Sequence, residues 1–401
     1  MKILEINKFY FRKGGGDKHF FDVIELLRSN GHEVAVFSMH HPENEPSPWD
    51  KYFVSTVGYT GEYSFWQKIK GIVRMFYSFE AQRKINQLLD DFQPDVVHIH
   101  NIYHQLSPCI LFAIKQRGIP IVMTVHDFKL ISPNYNLTLD GKPYLRCQQG
   151  KYYQCVVDRC VKHSYAKSAL AALEMYWHAW LGTYRKNIDR YIAPSEFVKK
   201  ILNEWGIMPA KIAVLAHFVP TPPQSAITGA APVQEQYALY FGRISKEKGI
   251  DQLVELFRSG ATKLYLAGAL ENEYQIPNAP NVRHLGYLNQ DALRKYIRSA
   301  TVIVSGSSLP ETFGLVALES IVNGKPFIGF RAGAYPEIIE NQKNGFLVDT
   351  WSEFGLAVHR IFGGETQFDQ NQIQKDALEK FSPPRYYQQI MSLFERTAID
   401  K

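Results

Sequence analysis

The chain of 401 residues is long enough for two or three domains, and its 45% hydrophobic and 21% charged residues are typical of an ordinary globular protein. Its formal net charge of +6 suits an anionic nucleotide or an anionic lipid surface, but it is too small and dispersed to argue for nucleic-acid binding. No run of about eighteen apolar residues occurs, and the N-terminus lacks the apolar core of a signal peptide, so neither a membrane span nor secretion is expected.

The first predicted unit is a strand, a glycine loop, a helix and a second strand. Residues 2–6 form the first strand, Gly14–Gly16 end the loop, and Asp17 is expected to cap a helix over 18–29. A glycine loop at the end of a strand lets the backbone approach a ligand, although a flexible turn is the alternative. The loop is not G-x-G-x-x-G, so a nicotinamide cofactor is not predicted.

Strands and helices continue to alternate, which predicts a parallel α/β sheet that binds ligands at the carboxyl ends of its strands. The strand over 120–125 delivers His126 to that end. His126 is therefore better placed for function than His98 or His100, which alternate along the strand over 96–100. A packed structural histidine is the alternative reading.

Two helical segments mix aromatic and basic residues, and they lie within 63–92 and 169–184. The first is expected to include one long helix over 69–92. Helices of this composition can lie on a membrane surface, although packing inside the protein is the more common explanation.

Four cysteines in a chain of this length indicate a reducing compartment, in which disulfides are unexpected, and the cytoplasm is the predicted location. Cys147, Cys155, Cys160 and His163 could form a tetrahedral zinc site, but their spacing matches no standard short-spaced motif. Packed thiols without redox activity are the favoured interpretation. Cys109 is expected to be a small core residue.

A stretch rich in Pro, Ala, Ser and Gly at 219–235 predicts a linker between a domain over 1–218 and a second α/β domain over 236–381. In the second domain, four successive strands end in small, polar or charged residues. Arg243 and Lys248 follow the first of these strands, and both side chains suit phosphate oxygens. A solvated basic turn would explain one such cluster, but recurrence along one sheet edge favours a single ligand site.

Residues 302–319 are predicted to form a buried strand, a polar loop and a helix that begins near Gly314. Glu311 lies in the loop and Glu319 on the helix, with seven residues between them. The N–H groups at the start of the helix suit an anion such as a diphosphate. Taken alone, the two glutamates could also be solvated residues or an acid/base pair.

Several of these segments, in this order, resemble the retaining glycosyltransferases of family 4, and the resemblance covers nearly the whole chain. They are Gly14–Gly16, TVHD at 124–127, APS at 193–195, FGRISKEKG at 241–249 and PETFGLVALE at 310–319. The resemblance implies the GT-B fold, with two facing Rossmann-like domains of parallel sheets and a C-terminal helix over 382–401 that packs back onto the first. Gly306 departs from the family pattern, which often has proline there.

The resemblance also implies roles for individual residues. Arg243 and Lys248 would hold the diphosphate of a nucleotide sugar, and Glu319 would bind the ribose. Glu311 would contact the donor sugar, and His126 would stabilise charge beside the reacting sugar. The other donor-binding positions would contribute backbone groups, and they are Gly15, Gly16, Gly242, Gly286, Phe313, Gly314 and Leu315. No D-x-D occurs, so no metal and no further cofactor are expected.

The implied function is transfer of a sugar from a UDP- or GDP-sugar to a hydroxyl of a glycan or lipid-linked acceptor, in the synthesis of a surface polysaccharide. Peripheral association with the inner face of the cell membrane would fit such an acceptor. A sugar-nucleotide epimerase of the same fold and an inactive nucleotide- or carbohydrate-binding protein are the alternatives. The motifs do not identify the base, the sugar or the acceptor, because pocket contacts determine these.

Overall fold

The computed structural model describes residues 1–57, 65–220, 235–258, 260–271 and 274–399. The chain forms two compact units, which are described separately below. The first comprises Met1–Leu139, Tyr144–Ala216 and Tyr386–Lys401, and the second comprises Asp140–Pro143 and His217–Arg385. Most of the predicted linker over 219–235 lies outside the described residues, because 221–234 are not among them.

The first unit contains a parallel sheet covered by helices. The strands of this half of the chain are β1 (Lys2–Ile6), β2 (Glu33–Phe37), β3 (Val96–Ile99), β4 (Ile121–Thr124), β5 (Thr138–Leu139), β6 (Lys142–Pro143), β7 (Arg190–Ala193) and β8 (Ile212–Val214). The helices are α1 (Gly15–Ser29), α2 (Phe65–Phe76), α3 (Phe79–Phe92), α4 (Ile110–Gln116), α5 (Tyr153–Val157), α6 (Tyr165–Leu181), α7 (Thr183–Asn187) and α8 (Glu196–Glu204). The sheet order is β2-β1-β3-β4-β7-β8, with every pairing parallel. Its central strands are buried along their length, as expected when helices cover both faces.

The second unit repeats this plan. Its strands are β9 (Tyr237–Phe241), β10 (Lys263–Ala267), β11 (Val282–Gly286), β12 (Val302–Ser305), β13 (Phe327–Phe330) and β14 (Gly345–Val348). The helices of this half are α9 (Ile250–Arg258), α10 (Gln290–Ser299), α11 (Leu315–Val322), α12 (Tyr335–Ile338), α13 (Trp351–Phe362), α14 (Gln370–Lys380) and α15 (Pro383–Ile399). The sheet order is β11-β10-β9-β12-β13-β14, again with every pairing parallel. The predicted α/β class with two Rossmann-like parallel sheets is confirmed.

From Tyr386 onward, α15 belongs to the first unit. The hydroxyl of Tyr386 lies 3.2 Å from Nε2 of His19 on α1. The ring of Phe394 packs edge-on against His98 of β3, with 5.5 Å between the ring centroids. Both aromatic side chains are buried, so the end of the chain completes the core around the N-terminal strands.

Two predicted helices are each divided in two, and in each case a local backbone feature is the reason. The stretch over 69–92 forms α2 and α3, because the Ser78 hydroxyl accepts a hydrogen bond of 3.2 Å from the Ala81 N–H and so begins a new helix. The stretch over 169–184 is interrupted between α6 and α7 by Gly182, whose φ of 68° ends the first helix.

The expectation that all the cysteines are thiols is wrong. Cys155 and Cys160 form a disulfide, while Cys109 and Cys147 are free and buried. Residues 155 and 160 lie five apart at the end of α5, where a turn brings their Cα atoms to 4.9 Å, within the range of a disulfide. Cys147 packs in the same apolar cluster. The number of cysteines therefore no longer supports a reducing compartment.

Candidate active site

The glycine loop forms the beginning of α1. Gly14 is the N-cap, with extended backbone, and Gly15 and Gly16 are the first helical residues. The predicted capping role of Asp17 is wrong, because the helix starts two residues earlier and Oδ1 of Asp17 accepts a hydrogen bond of 2.9 Å from Nδ2 of Asn7. The first N–H groups of this helix carry no side chains beside them, which suits the approach of an anion.

His126 lies just beyond β4 and against the glycine loop. A Cβ atom built on Gly16 would lie 3.2 Å from Cγ of His126, closer than an ordinary carbon–carbon contact. Burial, together with the positive charges of His98 and Lys8, lowers the pKa of His126 to about 3. The imidazole is therefore neutral at neutral pH. The structure brings these two predicted site residues together, and only glycine fits at position 16 without displacing the ring.

Behind His126 lies a buried polar network that the sequence did not assign to the site. Nδ1 of His100 is 2.8 Å from Nε2 of His126, and Nε2 of His100 is 3.1 Å from Oε2 of Glu5. The other carboxylate oxygen of Glu5 is 3.0 Å from Nδ1 of His98, and Nε2 of His98 is 2.8 Å from Oγ1 of Thr124. Glu5, His98 and His100 are fully buried. The available signal was a charged residue inside the apolar strand KILEI.

In the second unit, three glycines line the carboxyl ends of the neighbouring strands β9, β10 and β11. The N–H of Gly268 donates to the carbonyl of Gly286 at 2.9 Å, and a Cβ atom on Gly268 would lie 1.8 Å from the carbonyl oxygen of Gly242. All three have positive φ angles, which side chains disfavour. The structure thus places the predicted Gly242 and Gly286 along one edge of the sheet, where the backbone is open to a ligand.

The two predicted cations have different partners. Nη1 of Arg243 donates to Glu271 at 2.9 Å, and Nη2 lies 3.7 Å from Glu247. Nζ of Lys248 lies 2.5 Å from Oε1 of Glu311, and each of these two side chains is about a quarter exposed. The structure therefore joins Lys248 and Glu311 directly, whereas Arg243 stands in a more exposed group of carboxylates.

Helix α11 begins at the predicted phosphate-binding turn. Gly314 is its N-cap with a φ of 95°, and a Cβ atom there would lie 2.5 Å from a ring carbon of Tyr335. The backbone of the buried Phe313, of Gly314 and of Leu315 forms the start of this eight-residue helix. Glu319 lies one turn after Leu315, so the two side chains share a face of the helix.

The loop that carries Glu311 is held by close backbone contacts. The carbonyl of Glu311 accepts a hydrogen bond of 3.0 Å from the N–H of Ala334, and a Cβ atom on Gly333 would lie 2.3 Å from the same carbonyl oxygen. At the other end of the loop, a Cβ atom on Gly249 would lie 2.2 Å from the carbonyl oxygen of Gly306. This contact explains why Gly306 tolerates the departure from the family's proline: two backbone segments touch there.

Comparisons with known proteins agree with this geometry. Residues 13–221 match the model of Glycosyltransferase Family 4, and residues 227–361 match that of Glycosyl transferases group 1. An uncharacterized protein in the cps region of Klebsiella pneumoniae is 24% identical over 84% of this chain and 87% of its own length. A GDP-mannose-dependent α-mannosyltransferase of Mycobacterium tuberculosis is 24% identical over 81% of this chain and 78% of its own.

Solved structures share the fold at low sequence identity. Sucrose-phosphate synthase of Thermosynechococcus elongatus superposes with a TM-score of 0.69 at 16% identity, over 100% of both chains. The Anabaena protein HepE, in complex with UDP and glucose, superposes with a TM-score of 0.66 at 14% identity, over 99% of this chain and 100% of its own. The predicted GT-B class is thereby confirmed. Since the family 4 model spans more than half of the chain, the protein belongs to glycosyltransferase family 4.

Proposed function

We propose that the protein transfers a sugar, with retention of configuration, from a UDP- or GDP-sugar to a hydroxyl of a glycan or lipid-linked acceptor during synthesis of a surface polysaccharide. The observation that carries the proposal is the Lys248–Glu311 pair, in the unit that also presents the open glycine edge and the start of α11. A cation, backbone N–H groups and a carboxylate are the groups that recognise a diphosphate joined to a sugar. The Klebsiella relative in the cps region supports the polysaccharide setting.

In the proposed reaction, the bond between the sugar's anomeric carbon and the diphosphate oxygen breaks, and a bond to the acceptor oxygen forms on the same face. The acceptor's hydroxyl proton passes to the departing phosphate oxygen. Arg243 and Lys248 stabilise the charge that develops on the diphosphate. Glu319 binds the ribose, Glu311 orients the sugar and keeps Lys248 in place, and the neutral His126 contacts the reacting sugar.

A panel of UDP- and GDP-sugars, tested for binding and for turnover with candidate acceptors, tests this proposal. Glu311→Gln keeps the shape of the side chain and removes its charge, so we expect turnover to fall by about tenfold or more while nucleotide binding persists. Glu255→Gln, an exposed residue of α9 in the same unit, is the matched control and should retain full turnover. Absence of binding and turnover with every donor would overturn the proposal.

The same panel separates the two alternatives. An epimerase would release an altered nucleotide sugar when no acceptor is present. A protein that only binds would show thermal stabilisation by a donor without any turnover. Equal turnover of Glu311→Gln and the parent protein would remove Glu311 from the mechanism.

We also propose that transfer needs no metal ion, because the sequence has no D-x-D motif to hold one against a diphosphate. Turnover should be unchanged after incubation with EDTA. Loss of turnover that Mg²⁺ or Mn²⁺ restores would contradict this.

We propose, finally, that the protein acts in the cytoplasm at the inner face of the membrane. Among the described residues, no helix is both long and apolar enough to cross a bilayer. Helix α6 and the start of α3 nevertheless expose large apolar side chains, including Trp180 at 76% and Phe79 at 81%. The exposed Arg83 lies one turn after Phe79, so apolar and basic groups share a surface, as in interfacial helices.

Cosedimentation with vesicles tests this placement. We expect binding to vesicles that contain anionic phosphatidylglycerol and weaker binding to pure phosphatidylcholine. The double substitution Trp180→Ala and Phe79→Ala should weaken binding without changing the fold, because both side chains are exposed. The part of this surface predicted at 63–64 lies outside the described residues. Equal binding by the parent and the double variant would contradict the proposed surface.

A further inference from the structure

The buried chain of groups that ends at His126 has a definite hydrogen-bonding direction. We propose that Glu5 and His100 are positioning residues, which hold His126 in the tautomer protonated at Nε2 and so leave Nδ1 as a hydrogen-bond acceptor. This inference rests on the proposed function, in which His126 contacts the reacting sugar. It adds the kind of group that the ring can receive, namely a sugar hydroxyl and not a phosphate oxygen.

The direction is set by Glu5. An ionised carboxylate has no proton to donate, so both of its oxygens accept. Nε2 of His100, at 3.1 Å, and Nδ1 of His98, at 3.0 Å, must therefore carry the protons. Since all three side chains are fully buried, water cannot replace either bond, and each polar atom needs its partner within the protein.

His100 passes this direction on to His126. A neutral imidazole protonated at Nε2 can only accept at Nδ1. Nδ1 of His100 lies 2.8 Å from Nε2 of His126, so the proton of this bond belongs to His126. The ring of Phe20 packs edge-on against His100, with 5.1 Å between centroids, and this apolar neighbour disfavours a second proton on His100.

His98 does not change this result. Its Nε2 lies 2.8 Å from the hydroxyl of Thr124, which can donate or accept. His98 can therefore carry one proton or two without altering the bonds of His100. The tautomer of His126 depends on the branch through Glu5 and His100 alone.

The acceptor nitrogen lies on the side of the ring that faces the glycine loop. A Cβ atom built on Gly16 would be 3.4 Å from Nδ1 of His126. A lone pair on that nitrogen repels phosphate oxygens and attracts a hydroxyl hydrogen. The ring thus selects the hydroxylated part of the donor, and the phosphates remain with the N–H groups and cations.

A bound metal ion is the competing explanation for the same side chains. The ligand atoms of Glu5, His98 and His100 lie within 4.8 Å of one another, so one ion could join them. The hydrogen-bond account is favoured because every ring nitrogen of the two histidines already has a partner at 2.8–3.1 Å. Bound metal is therefore an outcome of the test.

The experiment uses the full chain labelled with ¹⁵N-histidine. Two-bond ¹H–¹⁵N spectra distinguish the two tautomers, and His126→Ala identifies the signals of that ring among the 13 histidines. At neutral pH we expect His126 protonated at Nε2. A ring protonated at Nδ1, or one equivalent of metal in the purified protein that is lost in Glu5→Gln, would overturn the proposal.

Substitution then tests the influence of Glu5. Glu5→Gln places an amide donor in the network, so we expect signal from the Nδ1-protonated form of His126 and turnover lower by about tenfold or more, with little change in the KM for the donor. Glu33→Gln, an exposed residue at the start of β2, is the control and should change neither. An unchanged His126 spectrum in folded Glu5→Gln would refute the role of Glu5. If that variant does not fold, the tautomer in the parent protein decides alone, and it does so even if no donor is ever turned over.

Discussion

Substitution of Gly16 by alanine should separate stability from activity. The residue is the second of α1 and has a helical backbone, so alanine meets no conformational barrier there. The added methyl group would lie 3.2 Å from Cγ of His126 and 3.4 Å from its Nδ1. The same methyl group would cover the N–H groups at the start of the helix, which are proposed to receive phosphate.

Two opposing effects set the magnitude. Alanine favours a helix over glycine by up to about 1 kcal/mol. The contact with His126 is about 0.3 Å shorter than an ordinary carbon–carbon contact, and the ring cannot simply retreat, because His100 holds its far side at 2.8 Å. We therefore expect a net change within about 1 kcal/mol in the free energy of unfolding. Turnover should fall by about tenfold or more, since small displacements of reacting groups are costly.

Urea unfolding and steady-state turnover, with the donor identified by the panel, measure the two quantities. Gly14→Ala is the matched control, because a Cβ atom there would meet only Oδ2 of Asp17 at an ordinary 3.8 Å. It should lose a few tenths of a kcal/mol as a poorer N-cap and keep its turnover. Equal turnover in the two variants would refute the reasoning, because the contact with His126 would then have no effect.

Three further outcomes follow from the structure. Gly314→Ala should lower the free energy of unfolding by about 1–3 kcal/mol in urea, because its φ of 95° and the ring of Tyr335 at 2.5 Å both oppose a side chain; a stable variant would contradict this. Burial raises the pKa of Glu174, but Lys129 at 2.8 Å and the neighbouring His104 outweigh it and bring the value to about 2. The resulting stabilisation, about 3 kcal/mol, is complete above the unfolded pKa of 4.5 and is lost as the pH falls toward 2, so stability should depend less on pH in Glu174→Gln. Titration of the unfolded, unreduced protein should find two thiols and, after reduction, four; four at the outset would exclude the disulfide.

The parts of the fold and site that could be predicted depend on local sequence. Gly314, Lys248 and Glu311 were found because each lies within a few residues of a strand end, where a parallel sheet binds ligands. Apolar strands alternating with amphipathic helices were sufficient for the two sheets. The break between α2 and α3 was missed because one hydroxyl, that of Ser78, decides it within an otherwise helical pattern.

The buried network could not be predicted from the sequence, because it depends on strand order. Glu5 meets His98 only when β1 lies beside β3 in the register that pairs these two residues. They are 93 positions apart, and nothing local to either one specifies the other. The disulfide was missed for another reason: a general argument about compartment was given more weight than the short spacing of Cys155 and Cys160.

The return of α15 to the first unit has a consequence for how the protein is made. Tyr386 and Phe394 cover His19 and His98, which lie on the earliest elements to leave the ribosome. The N-terminal sheet must therefore wait, with part of its core uncovered, until almost the whole chain has been synthesised. A nascent or truncated chain that ends before 386 would carry an incomplete first unit, whereas the second unit would already have all of its strands.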